Sequence, residues 1–173
     1  VAPSHRKTEE ALRQCGVDWT LLRNSLYADY QAPEARQAIL DGRLVHNRGT
    51  GRIAYVARDD CAAVAAAVLV ASSGHENVAY DITGPRTYDA TGLASLYAKL
   101  GGRSVDAVSV DDETFINGML GKGGGDGHAR YGAELVASFG RAVREGYLSA
   151  CTAAVEELAG RPATTLETVL RES

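Results

Sequence analysis

Residues 5–24 constrain the fold more than any other stretch of this chain. His5-Arg6-Lys7-Thr8-Glu9-Glu10-Ala11-Leu12-Arg13-Gln14-Cys15-Gly16 reads as a helix that closes on glycine. Val17-Asp18-Trp19-Thr20-Leu21-Leu22-Arg23-Asn24 follows at once as an apolar, β-prone run, expected to be a buried strand. A helix that ends on glycine and feeds directly into a strand is half of a β-α-β crossover, the unit that parallel strands require. The strand that would precede the helix is not in the sequence, which starts at Val1 and carries its single methionine at Met119. The chain is therefore expected to be the later part of a larger α/β fold, whose phosphate-binding turn would lie nearer the start.

The same alternation continues. A polar, Tyr-rich turn spans Asn24 to Tyr30, and a short helix Pro33 to Asp41, with proline in its first turn. Leu44-Val45-His46 and Gly51 to Ala57 are extended around an Asn-Arg-Gly-Thr-Gly turn. Asp59 or Asp60 is expected to cap a buried helix running to about Ser72. Val78 to Thr83 is the next strand, closed by Gly84-Pro85. A helix from Thr87 or Tyr88 to Leu100, a strand Val105 to Val110 and a helix capped by Asp111-Asp112 follow. Beyond the glycine-rich run Gly121 to Gly127 the pattern is helical: Ala129 to Glu145, Thr152 to Gly160 and Thr164 to Leu170. The fold class is α/β: the later portion of a Rossmann-type parallel sheet with a smaller, mostly helical region. Residues 1–84 are read as the sheet-bearing part with inserted segments, and 85–173 as the helical part.

Composition removes several function classes. The 18 basic residues are scattered and the net charge is −4, so nucleic acid is not an expected partner. No apolar run reaches the ~18 residues that a membrane span needs. Cys15, Cys61 and Cys151 are far apart and form no Cys-x-x-Cys pair, which reads as three reduced thiols in a cytoplasmic protein. No ligand spacing among cysteines and histidines fits a metal, so none is expected.

Gly49-Thr50-Gly51-Arg52-Ile53-Ala54 carries the letters of a dinucleotide fingerprint but leads into an extended segment, whereas phosphate binding there needs a helix N-terminus. It reads as a hairpin or loop turn. The Gly121 to Gly127 run lacks Gly-Lys-Ser/Thr and reads as a flexible connection or a lid. Arg58-Asp59-Asp60 reads as a cap with a local ion pair. Asp81, His46, His75 and His128 read as surface or turn residues. Arg23-Asn24 stands at the carboxyl end of a strand, where open α/β sheets bind ligands. Asn24, Ser25, Tyr27 and Tyr30 are therefore the best-placed polar and aromatic residues; a tyrosine ring can stack on a flat ligand and offer its hydroxyl. His5 shares a helix face with Glu9 and could carry a proton or contact a cofactor.

Thr8 to Leu12 and Cys15 to Asn24 together resemble the NmrA-like branch of atypical short-chain dehydrogenases/reductases. Within it they are most similar to the NAD(P)H-dependent quinone oxidoreductase type 2 group. The resemblance continues through Ile53 to Asp60, Gly74 to Gly84 and Gly160 to Leu166. It implies a Rossmann-type domain whose first half, with the glycine turn, is not in this chain. It also implies hydride transfer from NADP or NAD to a small-molecule quinone or carbonyl-like acceptor, with room for a homodimer.

Extended members of the family carry Tyr-x-x-x-Lys at the head of the first helix, with a Glu four residues later. Counting back from Glu9 places His5 at the Lys position and Val1 at the Tyr position, so the usual Tyr–Lys route to alcohol dehydrogenation is not in place. The resemblance assigns catalytic roles to His5 and Tyr27, cofactor contacts to Arg23, Asn24 and Ser25, and acceptor contacts to Tyr27 and Tyr30. A non-catalytic NAD(P)-sensing regulator and a truncated domain that binds no dinucleotide are the alternatives.

Overall fold

A computed structural model describes residues 2–71, 73–121 and 125–173. Lys122, Gly123 and Gly124 of the glycine run expected as a connection or lid, and Val1 at the Tyr position, lie outside the described residues. The elements run α1 (Ala2–Gln14), β1 (Thr20–Asn24), a single 3-10 turn (Ala28–Tyr30), α2 (Gln31–Asp41), β2 (Arg43–His46), α3 (Arg58–Val70), β3 (Val78–Ile82), α4 (Ala90–Gly101), β4 (Asp106–Ser109), α5 (Asp112–Leu120), α6 (Gly127–Arg144), α7 (Ala154–Ala159) and α8 (Leu166–Glu172). Both strand pairs are parallel, and the chain is α/β, as its alternating pattern requires. Among the described residues no helix is long and apolar enough to cross a membrane.

The chain forms two compact units. The first comprises Val1–Asp29, Ala54–Arg86 and Ala150–Ser173; the second comprises Tyr30–Ile53 and Thr87–Ser149. The two units interleave along the chain. The reason is topological: the connection from β1 to β3 leaves the first unit at Asp29 and returns at Ala54, and the C-terminal helices return as well.

In the first unit β1 pairs with β3 in the register Thr20↔Val78 to Asn24↔Ile82. The crossover helix α3 packs with α7 over one face, around Val56, Cys61, Val64, Ile82, Ala154 and Val155, with Leu22, Tyr27 and Tyr80 against them. Gly16, at φ +76°, supplies the left-handed turn that ends α1. β1 is half-buried and its last two residues are exposed, where a buried strand was expected; it pairs only with β3 among the described residues. Nor is α3 buried throughout: Leu69 and Val70 are 84% and 85% exposed.

The cap of α3 also differs from expectation. Ala57 holds the N-cap position, with no side-chain cap bond. Asp29 instead accepts the Arg58 backbone N–H at 3.0 Å. Asp60, wholly buried, accepts from the Thr164 N–H (2.7 Å) and hydroxyl (3.0 Å) and pairs with Arg161 (2.6 Å). Its partners are about a hundred residues away, so it is a long-range latch for the C-terminal segment and not half of a local pair with Arg58. His75 is likewise no bare turn residue: its Nδ1 is hydrogen-bonded to the Tyr80 hydroxyl at 2.9 Å.

In the second unit β2 pairs with β4, Arg43↔Asp106 to His46↔Ser109. Asp89, Asp111 and Asp126 cap α4, α5 and α6 through their carboxylates, as helix starts favour. Gly49 to Gly51 is a turn, with the Gly51 N–H on the Arg48 carbonyl (3.1 Å), and Ile53 beyond it forms an antiparallel bridge to Tyr88. His46, expected at the surface, is buried, and its Nδ1 accepts the Arg48 N–H at 3.2 Å. Burial pushes its pKa down, aided by Arg48 and opposed by Glu34. Asn47 donates to Asp112 (2.8 Å) and to the Ala137 carbonyl (2.9 Å), while Arg141 and Arg144 clamp Asp112 at 2.8 and 3.1 Å. The bond from Arg144 is the first cause that holds the Asp112 carboxyl far below its usual range.

Candidate functional site

The site is set by how α1 lies against β1. Arg13, late in α1, sits over the Trp19 ring at 5.2 Å, just before β1 begins. Glu9, one turn earlier, meets Arg23 near the end of β1. The helix therefore runs antiparallel to the strand, and its first turns, with His5, lie toward the carboxyl end of β1. That is the end at which open parallel sheets bind ligands.

The strand exit is held in place by backbone bonds. The Ser25 N–H donates to the Ile82 carbonyl at 2.9 Å, the Val56 N–H to the Leu26 carbonyl at 3.1 Å, and the Ala28 N–H to the Val56 carbonyl at 2.8 Å. Close approach fixes the neighbouring turn: a Cβ at Gly84 would stand 1.8 Å from the Tyr55 carbonyl oxygen, so only glycine fits. The Asn24 amide donates to the Tyr27 hydroxyl at 3.3 Å, and the Tyr27 ring packs partly on the core. The Ser25 hydroxyl is buried with no hydrogen-bond partner. A buried hydroxyl left unpaired costs about 1–3 kcal/mol, and a ligand that reaches it removes that cost.

His5, Arg23, Asn24, Ser25 and Tyr27 thus share one unit. Tyr30 is 65% exposed and belongs to the other. His5 is exposed on α1. Arg23 donates through Nε to Glu9 Oε1 (2.9 Å) and through Nη2 to Oε2 (2.6 Å), with Nη1 3.9 Å from Asp81. The bond from Arg23, followed by one from Arg13 and both positive charges, outweighs desolvation and pulls the Glu9 carboxyl down to about 2. Sequence reading placed Glu9 on the His5 face without finding its partner. The signal was an arginine inside an apolar strand, flanked by Leu22 and Asn24.

A nicotinamide group fits these residues in part. The unpaired Ser25 hydroxyl and the Asn24–Tyr27 pair offer hydrogen-bonding groups beside an aromatic ring. The phosphates would need a glycine turn before a helix, and Gly49 to Gly51 leads instead to the extended Ile53 bridge. Among the described residues no three His, Cys, Asp or Glu side chains converge as metal ligands do.

No family model matches the chain. It is 31% identical over 166 residues to Quinone oxidoreductase 2 of Escherichia coli, covering 96% of this chain and 56% of that protein. It is 27% identical over 159 residues to the NAD(P)H azoreductase of Xenophilus azovorans, covering 92% of this chain and 54% of that one. The structure of the E. coli NADPH-dependent quinone oxidoreductase complexed with NADPH superposes with a TM-score of 0.89 at 29% identity, over 99% of this chain and 59% of that one. The chain thus spans just over half the length of the curated relatives it matches. Fold and sequence agree over nearly all its residues: the chain is a homologue of Quinone oxidoreductase 2 over 166 residues and is similar in its parallel-stranded α/β architecture to the NADPH-bound quinone oxidoreductase structure.

Proposed function

We propose that the chain forms the acceptor-side part of an NAD(P)H-dependent oxidoreductase that passes hydride to a quinone or a similar carbonyl-like acceptor. The observation that carries this reading is the buried, unpartnered Ser25 hydroxyl beside the Asn24–Tyr27 pair, at the carboxyl end of a parallel strand. The names of the homologues supply the reaction class. When bound, the nicotinamide supplies the hydride. This chain's residues do the rest. Asn24 and Ser25 hold the amide end of the cofactor. Tyr27 borders the acceptor and orients its oxygen. His5 contacts the ribose side and passes a proton. Tyr30 adds an aromatic wall on the acceptor side. Cytoplasmic residence is supported by three free thiols. A homodimer is part of the same reading and is tested by sedimentation.

The test is NADPH oxidation with a benzoquinone, measured on the full native chain. Tyr27→Phe and His5→Ala should each lower kcat/KM about tenfold, a loss of about 1.4 kcal/mol of transition-state stabilisation. Kinetics unchanged in both variants would remove the site assignment. NADPH binding without turnover would point to the sensor, and neither binding nor turnover would end the proposal.

A further inference from the structure

We infer that Glu9 and Arg23 are a positioning pair: their two-point ion pair sets the register of α1 against β1 and thereby brings His5 level with the strand exit. This rests on the proposed function for its purpose, but not for its geometry.

Apolar packing does little to fix that register. Of the α1 side chains from Ser4 to Gln14, all are exposed except Glu9 and Leu12, which are half-buried. A helix without a buried apolar stripe can slide or turn unless something directional holds it. The Glu9–Arg23 contact is directional. Nε and Nη2 of one planar guanidinium meet both oxygens of one carboxylate, at 2.9 and 2.6 Å. Arg13 adds a bond to the same carboxylate at 2.9 Å and, through Trp19, ties the far end of the helix. Asp81, 3.9 Å from Arg23 on the neighbouring strand, completes a balanced set of two positive and two negative charges.

The geometry assigns the consequence. His5 lies four residues before Glu9, about 6 Å along the helix axis. A strand advances about 3.3 Å per residue, so the same distance beyond Arg23 reaches Ser25. A slip of one helix residue would move His5 by about 1.5 Å and rotate it by about 100°, away from the strand exit. Arg23 was expected as a direct cofactor contact. Its guanidinium is instead engaged by Glu9 and faces Asp81, so it acts through the helix and not on a ligand.

The test compares Glu9→Gln, Arg23→Met and the double variant, with Arg23→Lys as the conservative control. Two readouts need no turnover: hydrogen exchange of the α1 amides, and the imidazole resonances of His5 against those of His75 and His128. The pair predicts at least tenfold faster exchange in α1 for both single variants. It also predicts the same displaced His5 signal in both, with His75 and His128 unmoved. Arg23→Lys, which keeps the charge and loses the fork, should fall between. In NADPH-dependent quinone reduction both single variants should lose kcat at least fivefold, with matching changes in KM for NADPH. The double variant should be no worse than either. Unchanged exchange and His5 signals in both variants would overturn the inference even if the wild type turns over. A raised KM for NADPH in Arg23→Met, with Glu9→Gln unaffected, would make Arg23 a direct ligand contact and overturn it too. A wild type without turnover would strike the proposed reaction while the exchange and resonance results still decide the pair.

Discussion

Asp60→Ala should strongly destabilise the first unit. The carboxylate has no solvent exposure and accepts two bonds from Thr164, at 2.7 and 3.0 Å, besides its pair with Arg161. A hydrogen bond to a buried charged group contributes about 1.5 kcal/mol or more. The Arg161 side chain is 42% exposed, so water takes over when its partner leaves, and its share is at most about 1 kcal/mol. The loss for Asp60→Ala is then about 3 kcal/mol, a large part of the ~5–15 kcal/mol that holds a domain folded. Asp60→Asn keeps one acceptor oxygen and should lose about 2 kcal/mol. Trp19 is the only tryptophan and lies in the same unit, so its fluorescence during urea unfolding at neutral pH reads this loss. Arg161→Met leaves the buried Asp60 carboxylate with its two Thr164 bonds but without its counter-charge and should cost about 1–2 kcal/mol, less than Asp60→Ala. A shift below about 1 kcal/mol for Asp60→Ala, or an equal shift for Arg161→Met, would refute the reasoning that the two Thr164 bonds dominate.

Gly140→Ala tests the second unit, because the new Cβ would stand 1.8 Å from Asn47 Oδ1. Alanine in a helix normally stabilises by about 1 kcal/mol, but displacing buried Asn47 from Asp112 and Ala137 should reverse the sign to a net loss of about 2 kcal/mol in the melting of circular dichroism. Cys61 is buried and its thiol is pushed up to about 11, chiefly by desolvation, so iodoacetamide at about pH 8 should label Cys15 and Cys151 first by mass spectrometry. Equal labelling of all three in the folded protein would count against that packing. His46 has a lowered folded pKa, so the unfolded chain binds its proton first. Stability therefore falls as pH drops below about 6.5, and the pH slope of the urea midpoint should flatten in His46→Asn.

Local rules made much of the fold legible. Apolar periodicity and capping residues located the helix-to-strand entry, the parallel strand class and the Gly49 to Gly51 turn, because those depend on neighbours within a few residues. A polar run after a strand names a candidate ligand-binding end of a parallel pair, and the structure puts His5, Arg23, Asn24, Ser25 and Tyr27 in one unit. Sequence did not reveal the Glu9–Arg23 clamp, the Asp60 latch or the burial of His46. Each joins groups 14 or more residues apart or depends on what covers a side chain.

The sequence by itself determined that this chain is α/β, the order in which most of its helices and strands follow one another, and which family it resembles. Hydrophobic spacing and backbone propensity act locally and leave their mark on the order of residues. Only the tertiary structure decided that residues 30–53 and 87–149 form a unit of their own, that Arg23 is engaged by Glu9, and that the Ser25 hydroxyl is left buried and unpaired. Those outcomes turn on which groups meet across the fold and which lose contact with water, and distance along the chain carries no record of either.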